Sequence, residues 1–589
     1  MKLFQALFLL LFFISCESKK ENETTAYITQ FEISEGKETA TYTETIDFYI
    51  QLAKKFPEIN IQTIGETDSG FPLHLVTFNL DSEFNFKKIR ENKTIILINN
   101  GIHPGESDGI DATMLLFRDM AEKKINAPEN TVITTIPIYN VGGALNRNTA
   151  TRANQNGPES YGFRGNAQNY DLNRDFIKSD TKNAKTFASI FHLVKPDVFI
   201  DNHVSNGADY QYTLTHLFTQ HNKLGLDLGE YLHTELMPKL EKGLLDVKWD
   251  ITPYVNVFNS VPEDGFSQFM DHPRYSTGYT TLWNTLGMMV ETHMLKPYKD
   301  RVEGTYELMK QMISITETDG QRIKELRAKS HQELLELKEY PLAWELDTTQ
   351  VSTLNFKGFE ADTILSEVTG FPRLKYDRNK PFTKKVAYQN YFKPAQHVSI
   401  PSGYLLKKSN YKIIDLLTKN EILFTRFLKD TILEVESYKI EDFKTRQNSY
   451  EGHYLHYDTK VSTTTKKVQF HQGDIFIATQ QAGIRYLLET LEPSAIDSFF
   501  NWNFFDTILQ QKEGFSPYVF EDIALELLQK NSLLKEAFEL KKVSDESFKN
   551  NWYAQLAFIY EHSDHYEPAH LQYPVYRSMN PIYMEEVKN

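Results

Sequence analysis

Cysteine is nearly missing from this chain: 589 residues contain one, Cys16. No internal disulfide can form and no multi-thiolate metal site can be built, so any metal must be held by His, Asp or Glu. Long apolar runs are scarce as well. Beyond the first fifteen residues none approaches the ~20 needed to cross a bilayer as a helix. A basic surplus is absent, with 64 Lys and Arg against 79 Asp and Glu and a formal net charge of −15. That balance argues against a nucleic-acid binder, which normally shows a basic face, and there is no polybasic patch for anionic lipid. No internal repeat and no long low-complexity tract occurs. The remaining composition, 40% hydrophobic and 13% aromatic, supplies ample core material, and the length suits roughly two to four domains.

The first residues, "MKLFQALFLLLFFISCESKKENE", place Lys2 before an apolar stretch from Leu3 to Ile14, followed by Ser15-Cys16. The stretch is too short to span a membrane and has the size of a signal-peptide core. It resembles a bacterial lipoprotein signal in which Cys16 becomes the lipidated N-terminus, although Phe13 stands where such signals usually carry Leu. The competing reading is a plain signal peptide with an incidental cysteine. Residues 17–40, beginning "ESKKENETTA", read as a tether. The expectation is export to the cell envelope, in the periplasm or outer membrane of a Gram-negative bacterium, with membrane contact only through lipid on Cys16.

From residue 41 to about 325, short β-rich runs alternate with helical patterns. The expected strands are Leu73–Asn79, Thr94–Asn99, Val132–Tyr139, Asp197–Asp201 and Gly287–Glu291; the expected helices are Ile110–Lys123, Thr181–Val194 and Leu224–Leu245. This alternation predicts an α/β fold with a mixed, largely parallel sheet flanked by helices. Sites in such sheets gather at the carboxyl ends of strands. A charged helical stretch from Val302 to Tyr340 leads to residues 340–589, expected to form an accessory α/β region. Within it "GYLLKKSNYKIIDLLTKNEILFTRF" reads as strand, helix, strand, and residues 495–545 read as helical and aromatic.

Three strand ends carry chemistry. "IILINNGIHPGESDG" sets His103 and Glu106 three residues apart in a turn after a strand. Catalytic zinc sites use three such N or O ligands and keep one open position. An isolated pattern of this kind is also a common solvated turn. "KPDVFIDNH" adds His203 just past an apolar strand; alone, in a chain with 17 histidines, it would pass as a surface residue. His293, His216 and His272 are lesser candidates. "TLGMMVETH" ends an apolar run on Glu291, whose charge needs a partner if buried. It is either a general base or a salt-bridged strand end. Residues 146–176, "NRNTATRANQNGPESYGFRGNAQNYDLNRDF", are too polar for a core and concentrate Arg147, Arg152, Arg164 and Arg174. Guanidinium forks bind carboxylates bidentately and can face an oxyanion.

Together, over about residues 45–300, these motifs resemble the M14 (carboxypeptidase A-like) zinc carboxypeptidases. The resemblance implies one zinc ion held by His103 and Glu106 of "HPGE" and by His203 of "DNH". It implies that Asn173 and Arg174 of "DLNRDF" hold the free C-terminal carboxylate of a peptide, and that Glu291 is the general base. Arg152, with Arg147 the alternative, would polarise the scissile carbonyl. Tyr275 in "RYSTGYTTLW", with Tyr279 second, would cap the substrate, and Thr281 before Trp283 would face the specificity pocket. Gly105 departs from members that carry arginine between the first two ligands. A zinc amidase or deacylase, a murein-peptide DL-carboxypeptidase, and a non-catalytic peptide- or glycan-binding lipoprotein are the competing functions.

Overall fold

The computed structural model describes residues 27–582; Cys16 and the signal sequence lie outside the described residues. The first unit is built on an eight-stranded sheet. Its strands are β1 (Ile59–Glu66), β2 (Pro72–Phe78), β3 (Thr94–Asn99), β4 (Thr131–Ile136), β5 (Val198–Ser205), β6 (Leu214–Phe218), β7 (Ile251–Pro253) and, after a short β8 (Phe266–Ser267) that pairs elsewhere, β9 (Leu286–His293). The spatial order is β1-β2-β4-β3-β5-β9-β6-β7. The central run β4-β3-β5-β9 is parallel, with antiparallel joins at β2-β4 and β9-β6. Every residue of β3, β4 and β5 is buried. Strands covered on both faces read as continuous apolar runs, which is why the sequence marks them.

Register places the functional strand ends together. Asn99 of β3 lies opposite Asp201 of β5, and His203 of β5 lies opposite Glu291 of β9. The turn after β3 leads directly into the helix Asp108–Ala121. Gly109 lets that helix approach β5, since a Cβ there would stand 2.3 Å from Asn202 Cβ. The helix Lys182–Val194 and the 39-residue helix Tyr298–Glu336 also flank the sheet. The helix expected over 224–245 is broken into Leu226–Tyr231 and Met237–Asp246, joined by a π-helical turn at Leu232–Leu236.

Two expectations are corrected. Residues 27–40, read as tether, are docked: Phe31 is buried, Glu32 pairs with Arg118 at 2.6 Å, and Arg118 also reaches the Tyr27 carbonyl. The mostly polar composition of this stretch concealed one apolar anchor and one ion pair. Residues 495–505 are turns rather than helix, followed by a short 3-10 helix at Asp506–Leu509. Asn501 donates to the Ala495 carbonyl, Trp502 Nε1 to Asp497, and Ser498 to the Pro493 carbonyl. Such side-chain bonds compete with the helical ladder.

The chain from Glu339 onward adds β10 (Glu339–Leu346), β11 (Ser352–Leu365), β12 (Pro372–Gln389), β13 (Phe392–Ser399), β14 (Gly403–Leu406), β15 (Thr425–Arg426), β16 (Thr431–Thr445), β17 (His456–Phe470), β18 (Ile475–Ala478) and β19 (Gln572–Ser578). Six of these form a second sheet in the order β15-β18-β14-β19-β16-β17. The end of β12 pairs with β8, Tyr388 opposite Phe266. One hydrophobic cluster runs through both parts, holding Tyr279 and Leu282 together with Tyr404, Tyr486 and Leu487. Trp283 stacks on Tyr486 at 6.0 Å and 26°, and Arg485 donates to the carbonyls of Lys223 and Leu224.

Candidate metal centre and carboxylate clamp

His103, Glu106 and His203 are 3%, 4% and 3% exposed, and one ligand atom from each lies within 4.8 Å of the others. Glu106 Oε1 is 3.2 Å from His103 Nδ1, and Oε2 is 3.2 Å from His203 Nδ1. His103 Nδ1 has no hydrogen-bond partner, an uncommon state for a buried imidazole nitrogen. The other ring nitrogens are held from outside. His103 Nε2 is 2.9 Å from Asp171 Oδ1, and His203 Nε2 is 2.9 Å from Asp201 Oδ2. Carboxylates in this position orient metal-ligating imidazoles and make them more basic. Two inward nitrogens and one carboxylate, buried and converging, suit a three-ligand zinc site with an open position. Among the described residues no other set of this kind converges. His216 turns to Glu241 and His293 to the Ala208 carbonyl, while burial pushes the His272 imidazole down to about 4.

The charges are strongly coupled. Burial would raise the Glu106 carboxyl, but His103, Arg152 and the imidazole contacts hold it well below the usual range. Burial would depress His203, but Asp201 and Glu106 outweigh it and hold the imidazole well above its ordinary value. Asp171 is likewise kept low, against burial, by His103, Arg164 and Arg174. Glu291 goes the other way: burial pushes it up to about 8, helped by Glu106 and Asp201 and opposed by His203 and Arg164. The environments of these two neighbouring carboxyls thus drive them in opposite directions.

The arginines separate. Arg152 donates to Glu106 Oε1 at 2.9 Å and to Gln155 at 2.5 Å. Its stem fills the space beside Gly105, where a Cβ would stand 2.5 Å from Arg152 Cδ, so the glycine departure makes room for Arg152. Arg147 is not brought to the site. It donates to Ser160 and to the carbonyls of Thr39, Ala40 and Ser160, stapling the N-terminal segment. Arg164 bonds Asp171 at 3.0 Å and lies 3.5 Å from Glu106.

Asn173 and Arg174 sit in a short 3-10 turn, Leu172–Arg174, capped by Asp171. Asn173 Oδ1 accepts from the Ser276 N–H, and the Arg174 guanidinium lies 4.7 Å over the Tyr275 ring. Asn173 and Arg174 are thus joined to the Tyr275-Ser276 segment from far along the chain. Tyr279, the second choice for the cap, is fully buried, donates to Asn420 and lies against Phe176 and Phe191. Thr281 is buried and bonded to the Thr277 carbonyl, and Trp283 packs against His192 and Tyr486; neither opens toward the metal group. Sequence reasoning missed Asp171 and Asp201. Asp201 precedes His203 by two positions, the same-face spacing of a strand, and Asp171 precedes Asn173 by two in "DLNR".

Residues 45–196 match the profile of the zinc carboxypeptidase family, peptidase M14. The matched span holds His103, Glu106, Asn173 and Arg174; the fold adds His203 and Glu291 from beyond it. Among solved structures, carboxypeptidase A of Helicoverpa armigera aligns at 13% identity over 47% of this chain and 74% of its own, with a TM-score of 0.36. A metallo-carboxypeptidase from Burkholderia cenocepacia aligns at 14% over 46% and 68%, with a TM-score of 0.35. One from Pseudomonas aeruginosa aligns at 12% over 47% and 69%, also at 0.35. No curated protein matches the chain.

Proposed function

We propose that the protein is a zinc-dependent carboxypeptidase that removes the C-terminal residue of peptides with a free carboxylate. The observation that carries the reading is the convergence of His103 Nδ1, Glu106 and His203 Nδ1, next to a strand position that holds Glu291 opposite His203. One zinc ion in that set supplies Lewis acidity, acidifying a water and polarising the scissile carbonyl.

The protein's own groups do the rest. Glu291 takes the proton of the attacking water and returns it to the leaving amine, a task suited to a carboxyl whose environment raises it toward neutrality. Asp171 and Asp201 keep the two imidazoles facing inward. Arg152 supplies positive charge to the oxyanion that develops on the carbonyl. Asn173 and Arg174 fix the terminal carboxylate, so the bond nearest the C-terminus is the one presented, and Tyr275, lying against Arg174, closes over it. We further propose, from the apolar run ending at Cys16, that the enzyme is exported and held at the membrane by lipid.

The clamp is tested with matched peptides ending in a free carboxylate or an amide. Arg174→Ala is expected to lower kcat/KM on the free-acid peptide by about 100-fold, the worth of a charge-assisted bidentate contact, and to leave any cleavage of the amide unchanged. Equal loss on both peptides would remove the clamp role and favour an amidase that ignores the terminal charge.

A further inference from the structure

The hairpin β16-β17 turns at Glu451-Gly452, beside the carboxylate clamp. The turn is a tight two-residue one: Tyr450 and His453 exchange backbone hydrogen bonds at 2.7 and 3.1 Å, and both central residues have positive φ, +50° for Glu451 and +77° for Gly452. Turns of this type strongly prefer Asn-Gly, Asp-Gly or Gly-Gly. Glutamate at the first position is therefore a poor local choice. Strain of this sort persists where the side chain is needed and the surroundings enforce it.

What the side chain does is visible. Glu451 Oε2 accepts the backbone N–H of Asp171 at 2.8 Å. Asp171 is the hub of the site: its Oδ1 meets His103 Nε2 and the Asn173 N–H, both at 2.9 Å, and its Oδ2 meets Arg164. The turn is seated closely, since a Cβ on Gly452 would stand 2.9 Å from Tyr170 Oη. It is gripped on either side by His453 bonded to Asp180 at 2.7 Å and by Tyr450 stacked on Trp502.

We infer that Glu451, a residue of the C-terminal region, is a positioning residue of the proposed carboxypeptidase. It fixes the Asp171–Arg174 turn and so sets the grip of Asn173 and Arg174 on the terminal carboxylate. The inference rests on the function proposed above, and it makes the C-terminal region a working part of the substrate site.

The test uses the full-length, zinc-loaded protein with Glu451→Asn and Glu451→Gln. Asparagine suits the turn but is one methylene too short to reach Asp171; glutamine keeps an acceptor at the right length. For Glu451→Asn the expected result is a melting temperature at or above wild type. Its Asp171 amide should exchange about tenfold faster, and KM for a free-acid peptide should rise about fivefold with kcat within about twofold. Glu451→Gln is expected to restore exchange and KM to near wild type. A Glu451→Asn protein with unchanged Asp171 exchange and KM overturns the inference. So does one that melts lower with faster exchange throughout the chain, because that is plain structural support. Exchange at Asp171 is read without turnover, so a wild type that cleaves no peptide would refute the carboxypeptidase reading while leaving the Glu451 contact separately measured.

Discussion

His103 and His203 each give one ring nitrogen to an aspartate and turn the other toward Glu106. The outer carboxylates therefore decide which nitrogens are free to bind a cation. Asp201 is the cleaner test, because Asp171 also touches Asn173 and Arg164. Asp201→Asn keeps the shape but weakens the grip on the imidazole, and zinc affinity measured against a competing chelator is expected to fall about 10- to 100-fold. Unchanged affinity would mean that the ring is oriented by packing alone. The same residues show what was legible beforehand. His103, Glu106, His203 and Glu291 could be found because each closes an apolar run at a strand end. Asp171 and Asp201 could not be assigned, since an aspartate beside a loop has many uses until its ring partner is placed.

At the scale of elements, the centre of the sheet was readable and much of the rest was not. β3, β5 and β9 announce themselves as apolar runs because helices cover both faces, yet no run of residues reveals that His203 lies opposite Glu291. Register is a tertiary fact. The ribbons β11-β12 and β16-β17 were not delimited, because both lie largely in solvent and carry many charged residues. The segment 495–505 has the aromatic density of a helix face, whereas Ser498 and Asn501 bond nearby carbonyls and Asp497 accepts from the Trp502 indole and the Arg274 N–H. The junction of the helix Asp108–Ala121 with β5 offers a direct test of element packing. Gly109→Ala puts a methyl 2.3 Å from Asn202 Cβ, next in sequence to His203. Overpacking there is expected to destabilise the protein by about 1–3 kcal/mol, read as a lower denaturation midpoint. A midpoint equal to wild type would show that the helix start can shift without loss.

At the scale of the whole molecule, the chain beyond Glu339 shares the core of the eight-stranded unit through Tyr404, Tyr486 and Leu487 and reaches the site through Glu451. The site's electrostatics also make metal loading a property of pH. Binding requires neutral His203, whose folded imidazole is held well above its ordinary value by Asp201 and Glu106. In the proposed zinc site an incoming ion would have to displace that proton, so affinity is expected to rise with pH until His203 is neutral on its own. Titrations in buffers of different ionisation enthalpy near neutral pH are expected to show at least one proton released per zinc, from His203 with Glu291 able to add to it; no release would contradict the charge state assigned to His203. The central claim is tested most directly by measuring zinc content and C-terminal residue release on a peptide panel for wild type and Glu291→Gln side by side. The account predicts one zinc in each protein and release by wild type, with kcat reduced about 100- to 10,000-fold in the variant. A zinc-loaded wild type that releases no C-terminal residue, or a Glu291→Gln protein as active as wild type, would contradict it.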